Sequence, residues 1–308
     1  MVGMAMMLGR LARRATVGQR YASTMKICKD IASFRQARAA VPAGSTVGFV
    51  PTMGGLHAGH MSLIAEAKAT CDVVVSSVFV NPAQFGPNED FDKYPRTFEA
   101  DMAALRAQGV DIVFVPTTSV MYLPDHRTYV DPTGFDDVPE GTCRPGFFRG
   151  VATVVAKLFN IVAPTHAFFG QKDAVQCVVI KRLIEDLNFP IDLRVLDTKR
   201  EADGLAMSTR NQYLSPSERS AAKVLYAGLR QAKIDFDAAP GPTIPAAVLR
   251  ATIETIYRAE PLVGEIQYIS VGSKETMEEL DEVDTNAGAV ISVAVTVGKC
   301  RLIDNIVL

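Results

Sequence analysis

Two histidines, His57 and His60, stand three residues apart in Val50-Pro-Thr-Met-Gly-Gly-Leu-His-Ala-Gly-His-Met-Ser-Leu-Ile64. Upstream, Thr46-Val-Gly-Phe-Val50 reads as a short buried strand. Downstream, Leu63, Ile64 and Ala67 share one side of a predicted helix. Pro51, Gly54, Gly55 and Gly59 lie between the two elements, where a backbone turns sharply and comes close to a ligand. A helix beginning near Ala58 puts His57 just before its first turn and His60 inside it. Unpaired N–H groups and a positive dipole end make that place suited to an anion, and imidazoles there can donate to phosphate oxygens. The alternative reading, a metal held by His-x-x-His, lacks the His-Glu-x-x-His spacing and a nearby cysteine, Cys71 being at the far end of the helix. The unit points to a nucleotide.

The elements around this turn alternate in type. Helical patterns over 30–40, 98–108, 151–161 and 172–187 interleave with strand-like segments ending at Val50 and over 73–80, 111–115, 167–170 and 191–196. Such alternation predicts an α/β fold, a mostly parallel sheet with helices on both faces, and ligands beyond the carboxyl ends of its strands. From about residue 200 the pattern changes. Ser215-Pro-Ser-Glu218 is a capping-box helix start, with the helix expected to run to about Asp235. A second helix ends near Glu260, and strands follow over 266–271, 289–297 and 300–305. This predicts a smaller α+β C-terminal domain.

Three further clusters carry polar chemistry at strand ends and loops. Asn81 and Gln84, in Val78-Phe-Val-Asn-Pro-Ala-Gln-Phe85, offer uncharged amides for hydroxyl and carboxyl oxygens; Asn-Pro is also a common turn. In Phe168-Phe-Gly-Gln-Lys-Asp-Ala-Val-Gln176, Lys172 can neutralise a phosphate and Asp173 can accept from a ribose hydroxyl. Lys172, Asp173 and Gln176 can share a helical face, and the plain alternative is a solvated helix start. Ala206-Met-Ser-Thr-Arg-Asn211 places hydroxyls at Ser208 and Thr209 beside the cation of Arg210, a combination suited to a mobile phosphate clamp. No Walker A sequence is present.

Composition bounds the remaining classes. The 308 residues suffice for two domains, and with 48% hydrophobic and 21% charged residues the balance is that of a globular chain. A net charge of −2 gives no general attraction to nucleic acid or anionic membrane, and no apolar run reaches spanning length. The five cysteines have no paired spacing, which suits a reducing compartment. Residues 1–25 differ from the rest: Arg10, Arg13, Arg14 and Arg20 occur without an acid before Asp30, and Leu8, Leu11, Ala12 and Ala15 share a helical side. This is the profile of a mitochondrial transit peptide; a cytoplasmic protein starting at Met25 is the alternative.

Together these motifs closely resemble the pantoate–β-alanine ligase family. The resemblance rests on Pro51-Thr-Met-Gly-Gly-Leu-His-Ala-Gly-His60, Phe79-Val-Asn-Pro-Ala-Gln-Phe85, Tyr94-Pro-Arg-Thr97, Arg149-Gly-Val151, Gly170 to Gln176, Met207-Ser-Thr-Arg-Asn211 and Arg301-Leu-Ile-Asp-Asn305, in order, from about residue 26 to the C-terminus. It implies a Rossmann-like nucleotidyltransferase domain over 26–198 and a smaller lid domain over 199–308. The implied chemistry joins (R)-pantoate to β-alanine through a pantoyl adenylate, releasing AMP and pyrophosphate.

Carried over residue by residue, the resemblance makes His57, His60, Lys172 and Arg210 catalytic. It assigns ATP to Met53, Gly54, His57, Gly59, His60, Gly170, Lys172, Asp173, Lys199, Met207, Ser208 and Arg210, and substrate to Asn81, Gln84 and Gln176, with pantoate at Gln84 and Gln176 and the β-alanine site near Gln84. Mg²⁺ is then held largely by ATP, with no protein ligand, and the family suggests a homodimer. Gln171 departs from the family's usual Glu, Thr209 from its Ser, and Ala174 and Val175 from polar or aromatic residues. Two other classes share parts of this pattern. A nucleotidyltransferase acting on a phosphorylated acceptor would call for more cations where Asn81, Gln84 and Gln176 stand. A silent nucleotide-binding regulator would have lost reactive residues.

Overall fold

The computed structural model describes residues 24–87 and 89–308. The leader expected over 1–25 therefore lies outside the described residues, apart from its last two positions.

Six parallel strands form the first sheet in the order β1-β4-β3-β2-β5-β6. They are β1 (Lys26–Cys28), β2 (Val47–Thr52), β3 (Val73–Val78), β4 (Ile112–Phe114), β5 (His166–Gly170) and β6 (Asp192–Leu196). Side chains alternate between its faces, as the two-residue period of a strand requires. Val47, Phe49, Val73, Val75, Ile112, Phe114, Ala167 and Phe169 face one way. There they meet α1 (Ile31–Ala39), α6 (Phe147–Val162) and α7 (Ala174–Asp186). Val50, Val74, Val113 and Phe168 face the other, against α2 (Ala58–Thr70) and α3 (Phe98–Ala107). Both faces are covered, which is why these strands read as apolar runs.

The predicted alternation of strands and helices is present. Two short helices, α4 (Thr118–Met121) and α5 (Pro139–Cys143), and the three-residue strand β1 had not been predicted. The helix expected from Lys172 begins instead at Ala174, leaving Lys172 and Asp173 in the preceding turn.

The chain reverses its direction of strand addition between β2 and β5. From β2 it proceeds to β3 and β4 on one side, and then returns to lay β5 against the other side of β2. The carboxyl ends of these two strands flank the crevice where open α/β sheets take ligands.

C-terminal to this sheet lie α8 (Pro216–Ala222), α9 (Val224–Asp237), β7 (Thr243–Pro245), α10 (Ala246–Arg258), β8 (Val263–Gly272), β9 (Glu282–Asp284), β10 (Val290–Val297) and β11 (Cys300–Val307). Strands β11, β10 and β8 form an antiparallel sheet. Leu225, Leu229, Leu249, Ile253 and Tyr257 pack with Ile291, Val293 and Val295 in a second apolar cluster. The expected Ser215 capping box is formed, but the helix it starts breaks at Lys223 into α8 and α9. Among the described residues no helix is long and apolar enough to cross a membrane.

Candidate active site

The turn after β2 is built by glycines and one buried carboxylate. Gly54 and Gly55 take left-handed φ values of 84° and 62°, where a Cβ would be strained. Asp101, in the first turn of α3 and 3% exposed, accepts the amides of Gly55 (3.1 Å) and Leu56 (2.9 Å) and the Thr97 hydroxyl (3.1 Å). That grip presents His57 as the N-cap of α2.

The cap is a reciprocal one made by the two imidazoles. His57 Nδ1 accepts from the Gly59 amide at 3.1 Å, and His60 Nδ1 accepts from the His57 amide at 3.3 Å. The ring centroids lie 4.2 Å apart. An Nδ1 that accepts a backbone N–H carries no proton, so each neutral ring bears its hydrogen on Nε2. Burial, and then the Lys172 ammonium, push His57 down to about 4. Burial, His57 and Lys172 together push His60 down to about 3. Near neutral pH the pair consists of two uncharged N–H donors at a helix N-terminus.

Across the crevice, β5 runs into the turn Gly170-Gln-Lys-Asp173. Lys172 Nζ stands 3.7 Å from Asp173 Oδ1. Asn305 of β11 holds this turn, its Nδ2 donating at 2.8 Å to the carbonyls of Gln171 and Lys172. Next to it, Asp304 is buried in a bidentate pair with Arg200, at 2.6 and 3.0 Å. The Arg301-to-Asn305 motif thus supports the Gly170-to-Asp173 turn from the C-terminal sheet.

The loop that carries Met207 to Asn211 closes over both. Met207 donates its amide to the Lys199 carbonyl at 2.9 Å. Ser208 caps the short 3₁₀ turn Thr209–Tyr213, and the Thr209 hydroxyl donates to the Gly55 carbonyl at 3.0 Å. Arg210 is engaged by Asp90, Nε at 3.0 Å and Nη2 at 2.8 Å, rather than standing free. Glu89 beside it takes both oxygens onto Arg144, at 2.6 Å each.

These groups line one cavity of about 490 Å³. Met53, His57, Gly59, His60, Asn81, Gln84, Gly170, Lys172, Asp173, Gln176, Lys199, Ser208 and Arg210 all face it. Two residues expected at ATP do not line it. Gly54 is spent on the turn, its amide donating to Thr52 Oγ1 at 3.2 Å. Met207 lies behind Ser208, held by the Lys199 carbonyl.

Asn81 also differs from expectation in what it can do. It is 1% exposed. Its Nδ2 donates to Gln84 Oε1 (3.0 Å) and the Gly150 carbonyl (3.2 Å), while its Oδ1 accepts from the Ala83 amide (3.3 Å) and the Tyr122 hydroxyl (2.9 Å). The amide is occupied by the protein, and the Gln84 side chain it holds lines the cavity.

Sequence reasoning missed Asp101, Asp90, Glu89, Arg144 and Tyr122. Each acts on a partner more than forty residues away. Only Asp101 carried a local cue, an acid in the first turn of a predicted helix.

Imidazole N–H and ammonium groups gathered at the switch point of a parallel sheet, under a loop bearing a serine and an arginine, place the chain among α/β enzymes of the nucleotidyltransferase type. A profile of the family described as pantoate-beta-alanine ligase matches residues 26–307. The chain belongs to that family. Pantothenate synthetase of Chloroflexus aurantiacus is 49% identical over 281 residues, covering 91% of this chain and 97% of that protein. The crystal structure of pantothenate synthetase from Thermus thermophilus superposes with a TM-score of 0.84 at 42% identity, over 92% of this chain and 99% of that one. The pantoate-beta-alanine ligase of Francisella tularensis, crystallised with beta-gamma ATP and beta-alanine, gives a TM-score of 0.75 at 34% identity, over 92% and 97% of the two chains.

Proposed function

We propose that this chain joins (R)-pantoate to β-alanine in two steps at the cavity described above. A pantoate carboxylate oxygen attacks the α-phosphorus of ATP. The bond to the bridging oxygen breaks, and pyrophosphate leaves with that electron pair. The amine of β-alanine then attacks the acyl carbon of pantoyl adenylate, the C–O bond breaks, AMP departs, and the nitrogen loses its proton to yield pantothenate. The first step makes a leaving group, since a free carboxylate is a poor acceptor for an amine.

The observation that carries this reading is the paired imidazole cap. Two neutral Nε2–H donors, oriented before any ligand arrives, stabilise charge building on the reacting phosphate without requiring a proton to move. Lys172 supplies the fixed cation and Asp173 accepts from ribose. The backbones of Met53, Gly59, Gly170 and Lys199 border the nucleotide. Ser208 and Arg210 belong to the closing loop, and in this reading Arg210 exchanges Asp90 for a phosphate oxygen. Gln84 and Gln176 bind pantoate through uncharged amides, which neutralise no acceptor phosphate and so disfavour a phosphorylated acceptor. Mg²⁺ enters as MgATP, held by the phosphates.

We take residues 199–308 as the lid over a 26–198 core. We also propose a homodimer, on the family resemblance, to be tested by light scattering. The arginine-rich, acid-poor leader supports mitochondrial import, while the bacterial relatives weigh against it. A reporter fused to residues 1–25 decides between mitochondrial and cytoplasmic destinations.

The activity is tested with the full chain and MgATP, supplying pantoate and β-alanine singly and together. AMP accumulating over many turnovers only when both are present, with pantothenate in equal amount, is the expected result. Absence of turnover by folded protein rejects the reading.

A further inference from the structure

The substrate amide of Gln84 is held in place from several sides, and the origin of that hold lies outside the cavity. Gln84 ends the short 3₁₀ turn Pro82–Gln84. Its carbonyl accepts from Arg144 Nη2 at 3.2 Å, and its side-chain Oε1 accepts from Asn81 at 3.0 Å. The orientation of Asn81 itself is settled by two backbone groups. The Ala83 amide can only donate and the Gly150 carbonyl can only accept, so Asn81 Oδ1 faces the first and Nδ2 the second. It follows that the Gln84 atom facing Asn81 is an acceptor, and that the Gln84 amide nitrogen is the end left for the substrate. It also follows that Tyr122 must donate its hydroxyl to Asn81 Oδ1.

Tyr122 sits at the start of the loop after α4, with nothing in its local sequence that marks a function. Its ring meets Phe79 at 6.4 Å and His126 at 5.0 Å between centroids, and the Lys157 ammonium lies 5.0 Å from its centre. The ring is thus fixed by packing, and only the hydroxyl reaches Asn81. Tyr122 does not line the cavity.

We infer that Tyr122 is a positioning residue for the carboxylate substrate: its hydroxyl adds a side-chain hold to the Asn81 orientation that the Ala83 and Gly150 backbones set, and so keeps Gln84 with an N–H donor, and no acceptor, facing pantoate. This deepens the ligase reading above and rests on it. That polarity suits the carboxylate and hydroxyl oxygens of pantoate, which accept a hydrogen bond, and offers no acceptor to an ammonium group. Burial pushes the Tyr122 phenol up to about 12, and it remains a donor throughout the working pH range.

The test is a double-mutant cycle on the full chain with Y122F, Q84A and the double variant, each with its thermal midpoint measured. Y122F keeps every ring contact and removes one oxygen. Loss of that part-buried hydrogen bond raises KM for pantoate about tenfold, with KM for ATP unchanged. In the Q84A background, Y122F has no further effect on pantoate saturation, because the group through which it acts is gone. Equal effects of Y122F in both backgrounds, or an effect spread evenly over ATP and pantoate, overturn the inference. Should Y122F fail to fold, N81S, which removes the Tyr122 acceptor together with the donor to Gln84, is put through the same cycle, and an effect on pantoate KM that persists in the Q84A background overturns the inference. Turnover by the parent chain is the internal control: its absence rejects the ligase reading, and the inference with it, whereas an active parent with additive variants rejects the inference alone.

Discussion

The hydroxyl of Thr209 donates to the carbonyl of Gly55 at 3.0 Å, joining the loop over the site to the glycine turn beneath it. The contact is close enough to specify both partners. A Cβ on Gly55 would stand 2.4 Å from Thr209 Cγ2. The threonine that departs from the family's usual serine therefore keeps the hydroxyl and adds a methyl packed on Gly55.

T209V removes this closing bond while preserving side-chain shape. A neutral hydrogen bond of this kind is worth about 1 kcal/mol, so kcat/KM for ATP should fall about fivefold. T209S keeps the donor and should stay close to the parent. Equal behaviour of the two variants in steady-state assays would mean that the hydroxyl contributes nothing to closure.

His57 performs two separable tasks, capping α2 through Nδ1 and presenting Nε2–H to the cavity. H57N separates them, because Asn is a good N-cap that accepts from the helix amides but cannot place a donor where Nε2 stood. Thermal stability should be nearly that of the parent, while kcat falls about 10²- to 10³-fold, the usual loss when one preorganised donor is removed. A large drop in stability with turnover retained would reverse the assignment of the two nitrogens.

The same histidines set a pH dependence whose sign follows from their depressed pKa values. They sit at about 4 and about 3 in the folded chain, against 6.5 when free. As pH falls below 6.5 the unfolded chain takes up these protons first, so folding loses stability from there to about 4, and the loss levels off near 3. Denaturant midpoints measured across this window should show a steeper slope for the parent than for the H57N/H60N double variant. Identical slopes would show that neither imidazole is held neutral by folding.

The C-terminal sheet reaches the site through Asp304 and Asn305. D304A strands the Arg200 guanidinium beside a buried vacancy, an error that costs about 3–5 kcal/mol when one partner of a buried pair is removed. N305D instead loses the two Nδ2 donors to the Gln171 and Lys172 carbonyls. It should raise KM for ATP with a smaller stability change. Urea unfolding and ATP saturation curves for both variants distinguish a structural partner from a site-shaping one.

Much of this was legible before any coordinates. Glycines, histidines and an apolar helical face within fifteen residues define the β2 turn locally, and the capping box at Ser215 depends on a neighbour three residues away, whereas the reciprocal imidazole cap at His57 is seen only in the structure. What escaped was set by distance along the chain. β1 is three residues long and gains its identity only by pairing with β4. The helix after β5 starts at Ala174 because Asp173 adopts φ −99°, ψ 64°, outside the helical region. The type of Asn81 suits a substrate ligand, and the local sequence shows only its neighbours Ala83 and Gln84. Its other partners, Gly150 and Tyr122, approach from later elements, and Gly150 can do so only without a side chain, since a Cβ there would lie 2.0 Å from the Ala83 carbonyl oxygen. The sequence puts the Arg210 cation in a mobile phosphate clamp, and its pairing with Asp90 bridges two loops that no local pattern connects.

The measurement that tests the central claim most directly follows an oxygen atom. The full chain is given MgATP, β-alanine and pantoate carrying ¹⁸O in its carboxylate, and the products are separated for mass spectrometry. Attack of the carboxylate on the α-phosphorus, followed by C–O cleavage, places one labelled oxygen in AMP and none in pyrophosphate. Label appearing in inorganic phosphate instead would show attack at the γ-phosphorus, and the role given to the His57–His60 cap at the α-phosphate would be wrong.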